Sequence, residues 1–479
     1  MSESQATFQG ANSPAQQMQN LLTRQRQQYQ LNPMPSLSSR KQQLIELKKA
    51  ILRNQDKLCK ALDEDYGQRS QYDTLISDLL PAIAGLNYSV KNLKKWMKPS
   101  RRHAGLLLSP ASVKVHYQPL GVVGIVVPWN FPVMLSLGPL TAALSAGNRA
   151  MIKLSEFTPK TNTVIREVLA SVFTEDQVAV FEGEADIASE FTKLNFDHLL
   201  FTGSTAVGKH VMRAAADNLT PVTLELGGKS PVIIADDIDL DLAVERLIFG
   251  KCMNAGQICV APDYVLIPEG KQQAFIEAYK KAFTKMYPKG VSSKDYSSVV
   301  NQRQFKRLRD WMADAQAKGA SIIPAHASAI DDLQHRMVTH LIIDTKDDMT
   351  LMQEEIFGPL LPIIPYQSLD QAIQYVQARP RPLALYLMSM DPQIQKQVTE
   401  QCHAGGMCIN ESLLHVGADD APFGGVGPSG MGHYHGKEGF LTFSKAKTVL
   451  KAGKFGTGKL VHPPYGKLVQ KIILKTFMR

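Results

Sequence analysis

Between residues 122 and 226 the chain sets out five short apolar runs, VVGIVV, AMIKL, VAVFEG, HLLFTGS and VTLEL, separated by more polar sequence. Runs of this length, apolar throughout, read as strands buried on both faces of a parallel sheet. Helical patterning near 158–173 and on to Asn218 falls between them. Such alternation is the mark of an open, doubly wound α/β sheet. Helical patterns over 37–65 and 75–96 come first, strand- and turn-like sequence fills 106–127, and a second alternating block runs from Ser230 to about Gly427. At 479 residues the chain exceeds what one core serves, so two α/β domains are expected.

In an open α/β sheet ligands collect beyond the carboxyl ends of the strands, so the residues closing each run are the candidates for chemistry. Asn130, in Pro128-Trp129-Asn130-Phe131-Pro132, stands between a strand and a helix. Its amide could donate to a developing oxyanion, although a turn asparagine flanked by prolines fits the same sequence. Lys153 and Glu156 close the second run, where they could hold ribose hydroxyls; an ordinary strand edge with Ser155 as a helix N-cap is the plainer alternative. Gly203 and Ser204, in FTGSTAVG, occupy a strand-to-helix turn whose amides could face a pyrophosphate, though the spacing is not GxGxxG. Glu225 is embedded in VTLEL ahead of Gly227-Gly228-Lys229. A carboxylate among apolar neighbours is either paired or, with its pKa raised by desolvation, suited to deprotonating water. Cys259 ends the segment FGKCMNAGQIC, where Ala255 and Gly256 would let a turn present it. A thiol attacks carbonyls only as its thiolate, which needs a helix N-terminus, a cation or amides; a lone cysteine among apolar residues also fits a small core residue, as Cys252 does seven positions earlier.

PWNFP, ELGGKSP, GQIC, EEIFGP (354–359) and PFGGVGPSGMG (422–432) resemble, in order and spacing, the motifs of the aldehyde dehydrogenase superfamily over about 36–465. MQEEIFGP, RPLALYLMS and GHYHGKEGFLTFS are most similar to its class 3 type, and LKKWMKPSRR with LLHVGADDAPFGG to the coniferyl aldehyde dehydrogenase branch. The resemblance implies a Rossmann-like NAD-binding domain over 36–227 and a catalytic domain over 228–427. It also implies a projecting sheet, from about 101–119 and about 433–452, that mediates homodimer contacts, with 428–479 as oligomerisation segment and tail. By the same resemblance Cys259 is the nucleophile, Asn130 and the Cys259 N–H stabilise the oxyanion, and Glu225 activates the water that releases a carboxylic acid. A CoA-acylating relative would not require Glu225, and a catalytically silent protein on this fold would have no reason to keep all three residues.

The resemblance further assigns Glu355 and Phe357 to the nicotinamide ribose and ring, Gly203 and Ser204 to the pyrophosphate, and Lys153 with Glu156 to the adenosine ribose. Lys-Leu-Ser-Glu stands where many relatives have proline in the second place, which would shift that ribose pocket. A carboxylate on a 2'-hydroxyl repels a 2'-phosphate, so Glu156 leans the cofactor toward NAD, with NADP as the alternative that class 3 relatives often accept. Phe131, Leu135, Met253, Ile258, Val260 and Phe423 would line the substrate tunnel. All six are apolar, which favours an aromatic or medium-chain aldehyde; the resemblance through LLHVGADDAPFGG leans this to a conjugated aromatic one such as coniferaldehyde, with medium- and long-chain fatty aldehydes as the alternative.

The formal charge of +9 is concentrated over 91–102 and 445–475. With no stacking aromatics or nucleic-acid motif beside it, this charge reads as a solvated face or subunit contact and not as a nucleic-acid surface. The basic, amphipathic stretch 468–478 is expected to pack on its own domain, with a peripheral membrane contact as the alternative. No run approaches the roughly 18 apolar residues of a membrane span. Cys402, His403, Cys408, His433 and His435 lack the spacing of a closed zinc site, so no metal is expected. Five cysteines over so long a chain point to a reducing, cytoplasmic setting without disulfides. The first 35 residues, polar and Gln-rich, read as a poorly ordered arm followed by a helix and not as a signal peptide.

Overall fold

The computed structural model describes residues 13–454 and 456–478. The five apolar runs form five parallel strands of one sheet, in the order Val222–Leu226, His198–Gly203, Val122–Val126, Arg149–Lys153, Val178–Phe181. The chain starts in the middle, runs to one edge, then returns to build the other side. The carboxyl end of Val122–Val126 is therefore the switch point at which an α/β sheet opens a crevice. Every residue of that strand is buried. At about 1.5–3 kcal/mol per fully buried Val or Ile side chain, the strand is anchored firmly enough to fix the loop that follows it.

Several elements depart from the sequence expectations. The helical pattern over 37–65 divides at Asn54 into Leu37–Arg53 and Gln55–Tyr66, and a short helix, Ala185–Thr192, lies where none was expected. The helix after the second strand begins at Pro159, so Ser155 is not its N-cap; the Ser155 hydroxyl accepts from the Phe157 N–H at 3.3 Å. Within the expected N-terminal arm, Pro14–Leu31 is a helix that sets Met18, Leu21 and Leu22 against Val122, Met151 and Leu199 of the sheet. Its Gln25 amide donates to the Ala150 and Glu175 carbonyls. Residues 1–12, the rest of that arm, lie outside the described residues.

The second sheet has seven strands, in the order Ser321–Pro324, His340–Ile343, Leu360–Tyr366, Tyr264–Pro268, Pro231–Ile234, Ala384–Met388, Gly406–Ile409, parallel except for the first. Only Gly227 to Ser230 separate the end of the first sheet from the start of the second. After the second sheet the chain returns to the first, where Gly430–Met431 pairs antiparallel with Glu225 and Leu224. The helix Gly436–Thr442 then packs on Pro132–Ala146. Residues 430–442 thus sit with the first unit, and of the expected 433–452 only Ser444–Lys451 enters the separate three-stranded sheet, beside Ser112–Pro119 and Ser100–Arg102. The tail helix Leu468–Phe477 leaves Leu468, Ile472, Leu474 and Phe477 exposed and buries Gln470, so it does not bury its apolar face on its own domain as expected. No helix among the described residues is long and apolar enough to cross a membrane.

Candidate active site

The loop carrying Cys259 is shaped by an unusual turn. The helix Leu240–Cys252 ends in the core, with the Cys252 sulfur 3.6 Å from the Tyr279 hydroxyl and 3.7 Å from that of Thr339. Asn254, Ala255 and Gly256 then follow with φ of 48°, 51° and 73°. Only glycine takes this left-handed conformation freely, so surrounding bonds must hold the other two residues there. Buried Gln257 does much of this: its amide donates to the Asn254 carbonyl (2.8 Å) and the Ser298 carbonyl (3.0 Å) and accepts from the Val300 N–H (2.9 Å). At Gly256 a Cβ would stand 2.7 Å from the Gly358 carbonyl oxygen, which excludes any larger residue.

Asn130 is drawn to this loop. Its side-chain amide, buried, donates to the Gln257 carbonyl at 3.2 Å and retains a second N–H. Its own backbone carbonyl accepts from Arg69 Nη1 (2.8 Å), the Tyr66 hydroxyl (3.1 Å) and Asn254 Nδ2 (3.3 Å). Arg69 is fully buried and lies 3.7 Å from an equally buried Asp78. Asp78 accepts in turn from the Met134 N–H in the first turn of Pro132–Ala146, and burial lifts its carboxyl to about 6. This ion pair clamps both sides of the Asn130 turn.

Two buried carboxyl groups face the thiol. Glu225 has no hydrogen-bond partner on either oxygen among the described residues, and burial raises it well above the ordinary carboxylate range. Glu355 is pushed up to about 8 by burial and then by Asp263, against the Gly228 N–H, Lys229 and Arg307; its Oε1 is also unpaired. Cys259 is half-buried. Burial first, then Glu355, then Glu225 push that thiol up to about 12, opposed by the N–H groups of Cys259 and Val260. At rest the sulfur therefore holds its proton. Around it Lys229 pairs with Asp263 and donates to the Leu351 (2.7 Å) and Glu354 (3.0 Å) carbonyls, while Asp263 accepts from the Ile356 N–H at 2.8 Å. Arg307 donates to the Ile356 carbonyl at 2.9 Å, completing the support under Glu355 and Phe357.

The residues expected to hold a dinucleotide lie at strand ends and in the Glu355 loop. Lys153 is buried, donates to the Leu154 carbonyl (2.9 Å) and the Gly183 carbonyl, and stands 3.7 Å from the exposed Glu156 carboxylate; burial lowers its pKa. Gly203 ends its strand and Ser204 caps the helix Thr205–Ala216, accepting from the Val207 N–H at 3.4 Å. Phe357, at φ 46°, meets Trp129 edge-on with ring centres 5.2 Å apart. An exposed helix start, an exposed carboxylate and the unpaired Glu355 Oε1 offer the donors and acceptors that diphosphate and ribose hydroxyls require, so these residues fit a dinucleotide.

Of the expected tunnel residues, Phe131, Ile258, Val260 and Phe423 are buried, and Leu135 and Met253 partly buried, in the apolar cluster that also contacts Cys259. The sequence reading missed Tyr66, Arg69, Asp78, Gln257, Lys229, Asp263 and Arg307. Gln257 and Lys229 lay inside quoted motifs, and Lys229 with Asp263, as charges beside apolar strands, called for partners. Asp78 sits in helical sequence and Arg69 in the connection between two helices, with no such signal.

A model of the "Aldehyde dehydrogenase family" matches residues 4–449. A "Probable coniferyl aldehyde dehydrogenase" of Pseudomonas aeruginosa is 52% identical over 474 residues, covering 99% of each chain. The "4,4'-diaponeurosporen-aldehyde dehydrogenase" of Staphylococcus aureus is 39% identical over 90% of this chain and 92% of its own. Among solved structures, the Mycobacterium tuberculosis aldehyde dehydrogenase complexed with NAD+ superposes with a TM-score of 0.83 at 28% identity, covering 92% of this chain and 91% of the other. Continuous similarity across both sheets and the loops carrying Asn130, Glu225, Cys259 and Glu355 places this chain in the aldehyde dehydrogenase family, as an NAD(P)-dependent enzyme that oxidises aldehydes.

Proposed function

We propose that the enzyme oxidises a conjugated aromatic aldehyde, of which coniferaldehyde is the type, through a thioester on Cys259. The observation carrying the mechanism is the meeting, around one thiol, of one buried side-chain amide, the unpaired Glu225 carboxyl and Glu355, whose Oε1 is unpaired. The Cys259 thiol gives up its proton to solvent water as the sulfur adds to the aldehyde carbon, and the second N–H of Asn130 with the Cys259 N–H receives the oxyanion. The nicotinamide of bound NAD(P) supplies the acceptor for the hydride. Glu225 then takes a proton from water, and the hydroxide attacks the thioester to release the acid and the Cys259 thiol. Glu355, Phe357, Gly203, Ser204, Lys153 and Glu156 hold the dinucleotide. For Cys259→Ala we expect no aldehyde oxidation while NAD binding persists. Glu225→Gln should give a rapid burst of NADH, a thioester adduct visible by mass spectrometry, and stalled turnover. Full turnover by the glutamine variant would move the base elsewhere, and Glu355 would be next in line, since it outweighs Glu225 in its effect on the thiol.

The aromatic preference is supported by the apolar residues around Cys259 and by the name of the Pseudomonas aeruginosa relative, a probable coniferyl aldehyde dehydrogenase. A second reading, a long apolar aldehyde, draws on the name of the Staphylococcus aureus relative. The ratio of kcat/KM for coniferaldehyde to that for octanal decides between them, because it reports differential transition-state binding directly. A roughly tenfold advantage for octanal would favour the second reading.

A further inference from the structure

His435 is the polar residue near the site that the mechanism does not use. It is 6% exposed, and neither ring nitrogen has a hydrogen-bond partner among the described residues. Buried polar groups are normally paired, so two orphaned nitrogens on one ring call for an explanation. The ring is locked in place: it stacks on Phe423 with centres 4.9 Å apart and planes 17° apart, and Tyr434 meets it edge-on at 4.6 Å. It lines a cavity of about 30 Å³ together with Pro81, Ala82, Met134, Gly138 and Tyr434. Thr141, on the same wall, already donates its hydroxyl to the Leu137 carbonyl at 2.7 Å, and Asp419 is a partly exposed carboxylate on the rim.

The cavity adjoins the reacting groups. Tyr434 and Phe423 belong to the apolar cluster that packs against Cys259, and a Cβ on Gly424, the residue after Phe423, would stand 3.2 Å from Glu225 Oε1. Met134 lies one helical turn beyond Asn130, and Phe423 is one of the expected tunnel residues. The space has room for one or two water-sized groups, enough for a hydroxyl and too little for a ring. Burial lowers His435 to about 4, so at neutral pH it presents one N–H and one bare nitrogen.

We propose that His435 receives a hydroxyl carried at the far end of the substrate's ring, so that the site selects phenolic over unsubstituted aromatic aldehydes. This rests on the aromatic reading above. A phenol can donate to the bare nitrogen or accept from the N–H and so pairs one of the two, whereas a plain phenyl or an alkyl end leaves both nitrogens unpaired. Sites built to bond a substrate hydroxyl discriminate strongly against analogues that lack it.

The test compares kcat/KM for 4-hydroxycinnamaldehyde and cinnamaldehyde in the wild type, His435→Phe and His435→Gln. The electronic effect of the hydroxyl on the carbonyl is common to all three enzymes and cancels in the ratio of ratios. The phenylalanine variant should lower the hydroxylated substrate at least about tenfold further than cinnamaldehyde, and the glutamine variant, which keeps a donor and an acceptor, should recover part of that loss. An equal fall for both substrates would make His435 a packing residue and overturn the proposal. Should the phenylalanine variant fail to fold, inhibition of wild-type octanal oxidation by 4-vinylphenol and by styrene replaces it. Phenol inhibition about tenfold tighter supports the proposal, and equal inhibition overturns it. If octanal outperforms both cinnamaldehydes the aromatic reading fails, while the hydroxyl ratio still reports on His435.

Discussion

Cys259 rests between two carboxyl groups whose charged forms oppose its ionisation, and the titration of Glu355 gives a way to isolate its part. Glu355, at about 8, is neutral at pH 7 and charged at pH 9; only when charged does it push the thiol upward. Glu355→Gln removes that push. Alkylation of Cys259 by iodoacetamide should therefore be faster in the variant than in the wild type at pH 9, and nearly the same at pH 7. A difference of equal size at both pH values would mean that Glu355 acts on the loop's shape and not through its charge. The Asn130 amide can be tested by Asn130→Ala. Loss of one oxyanion donor costs roughly 3–4 kcal/mol, or about 100- to 1000-fold in kcat, and KM should change far less. A loss confined to KM would return Asn130 to the role of a turn residue.

The turns that bring these residues together depend on groups distant in sequence. Arg69 holds the Asn130 carbonyl from 61 positions away, and Ser298 receives the Gln257 amide from 41. Removing one partner of a buried ion pair strands the other charge at a cost of about 3–5 kcal/mol. Arg69→Met should lower the denaturation midpoint and, unlike Asn130→Ala, reduce stability and kcat together; a variant as stable as wild type would show the pair to be dispensable. Gly227→Ala is a sharper probe. Its Cβ would stand 2.1 Å from Glu355 Oε2, so the carboxyl must move. We expect NAD affinity to fall roughly tenfold, read by fluorescence titration, with the circular dichroism spectrum retained. These supports also mark where sequence reading stops. The five apolar strands were legible because each carries its own burial signal, and Cys259, Asn130 and Glu225 because each lies at a strand end or in a recognisable motif. The left-handed turn at Asn254 and Ala255 was not, since neither residue type announces it. The helix Ala185–Thr192 was missed because eight residues give too few turns to establish a period.

At the scale of the whole chain, the surface carries exposed apolar side chains grouped around the three-stranded sheet. Leu106, Leu107 and Leu108 are exposed beside the three-stranded sheet, and Thr457 donates to the Leu107 carbonyl at 2.7 Å, bringing exposed Leu460 and Val461 to the same place. Exposed Val449 and Leu450 of the sheet and Leu468, Ile472, Leu474 and Phe477 of the tail add further apolar surface. Isolated exposed leucines need no explanation, but a continuous apolar surface usually marks a binding face. A stable interface buries about 1,200–2,000 Å² in total, which a sheet edge with an adjoining helix can supply. We predict that a second copy of this chain covers this surface, in which lysines at 445, 447, 451, 467, 471 and 475 are interspersed. Light scattering should give a mass of twice 52.9 kDa. Truncation after Gly456 removes half of the apolar surface and leaves both large sheets whole, so it should yield a monomer that retains NAD binding. A truncated protein that stays dimeric would confine the interface to the three-stranded sheet, and a full-length monomer would leave the tail's apolar face to a different partner.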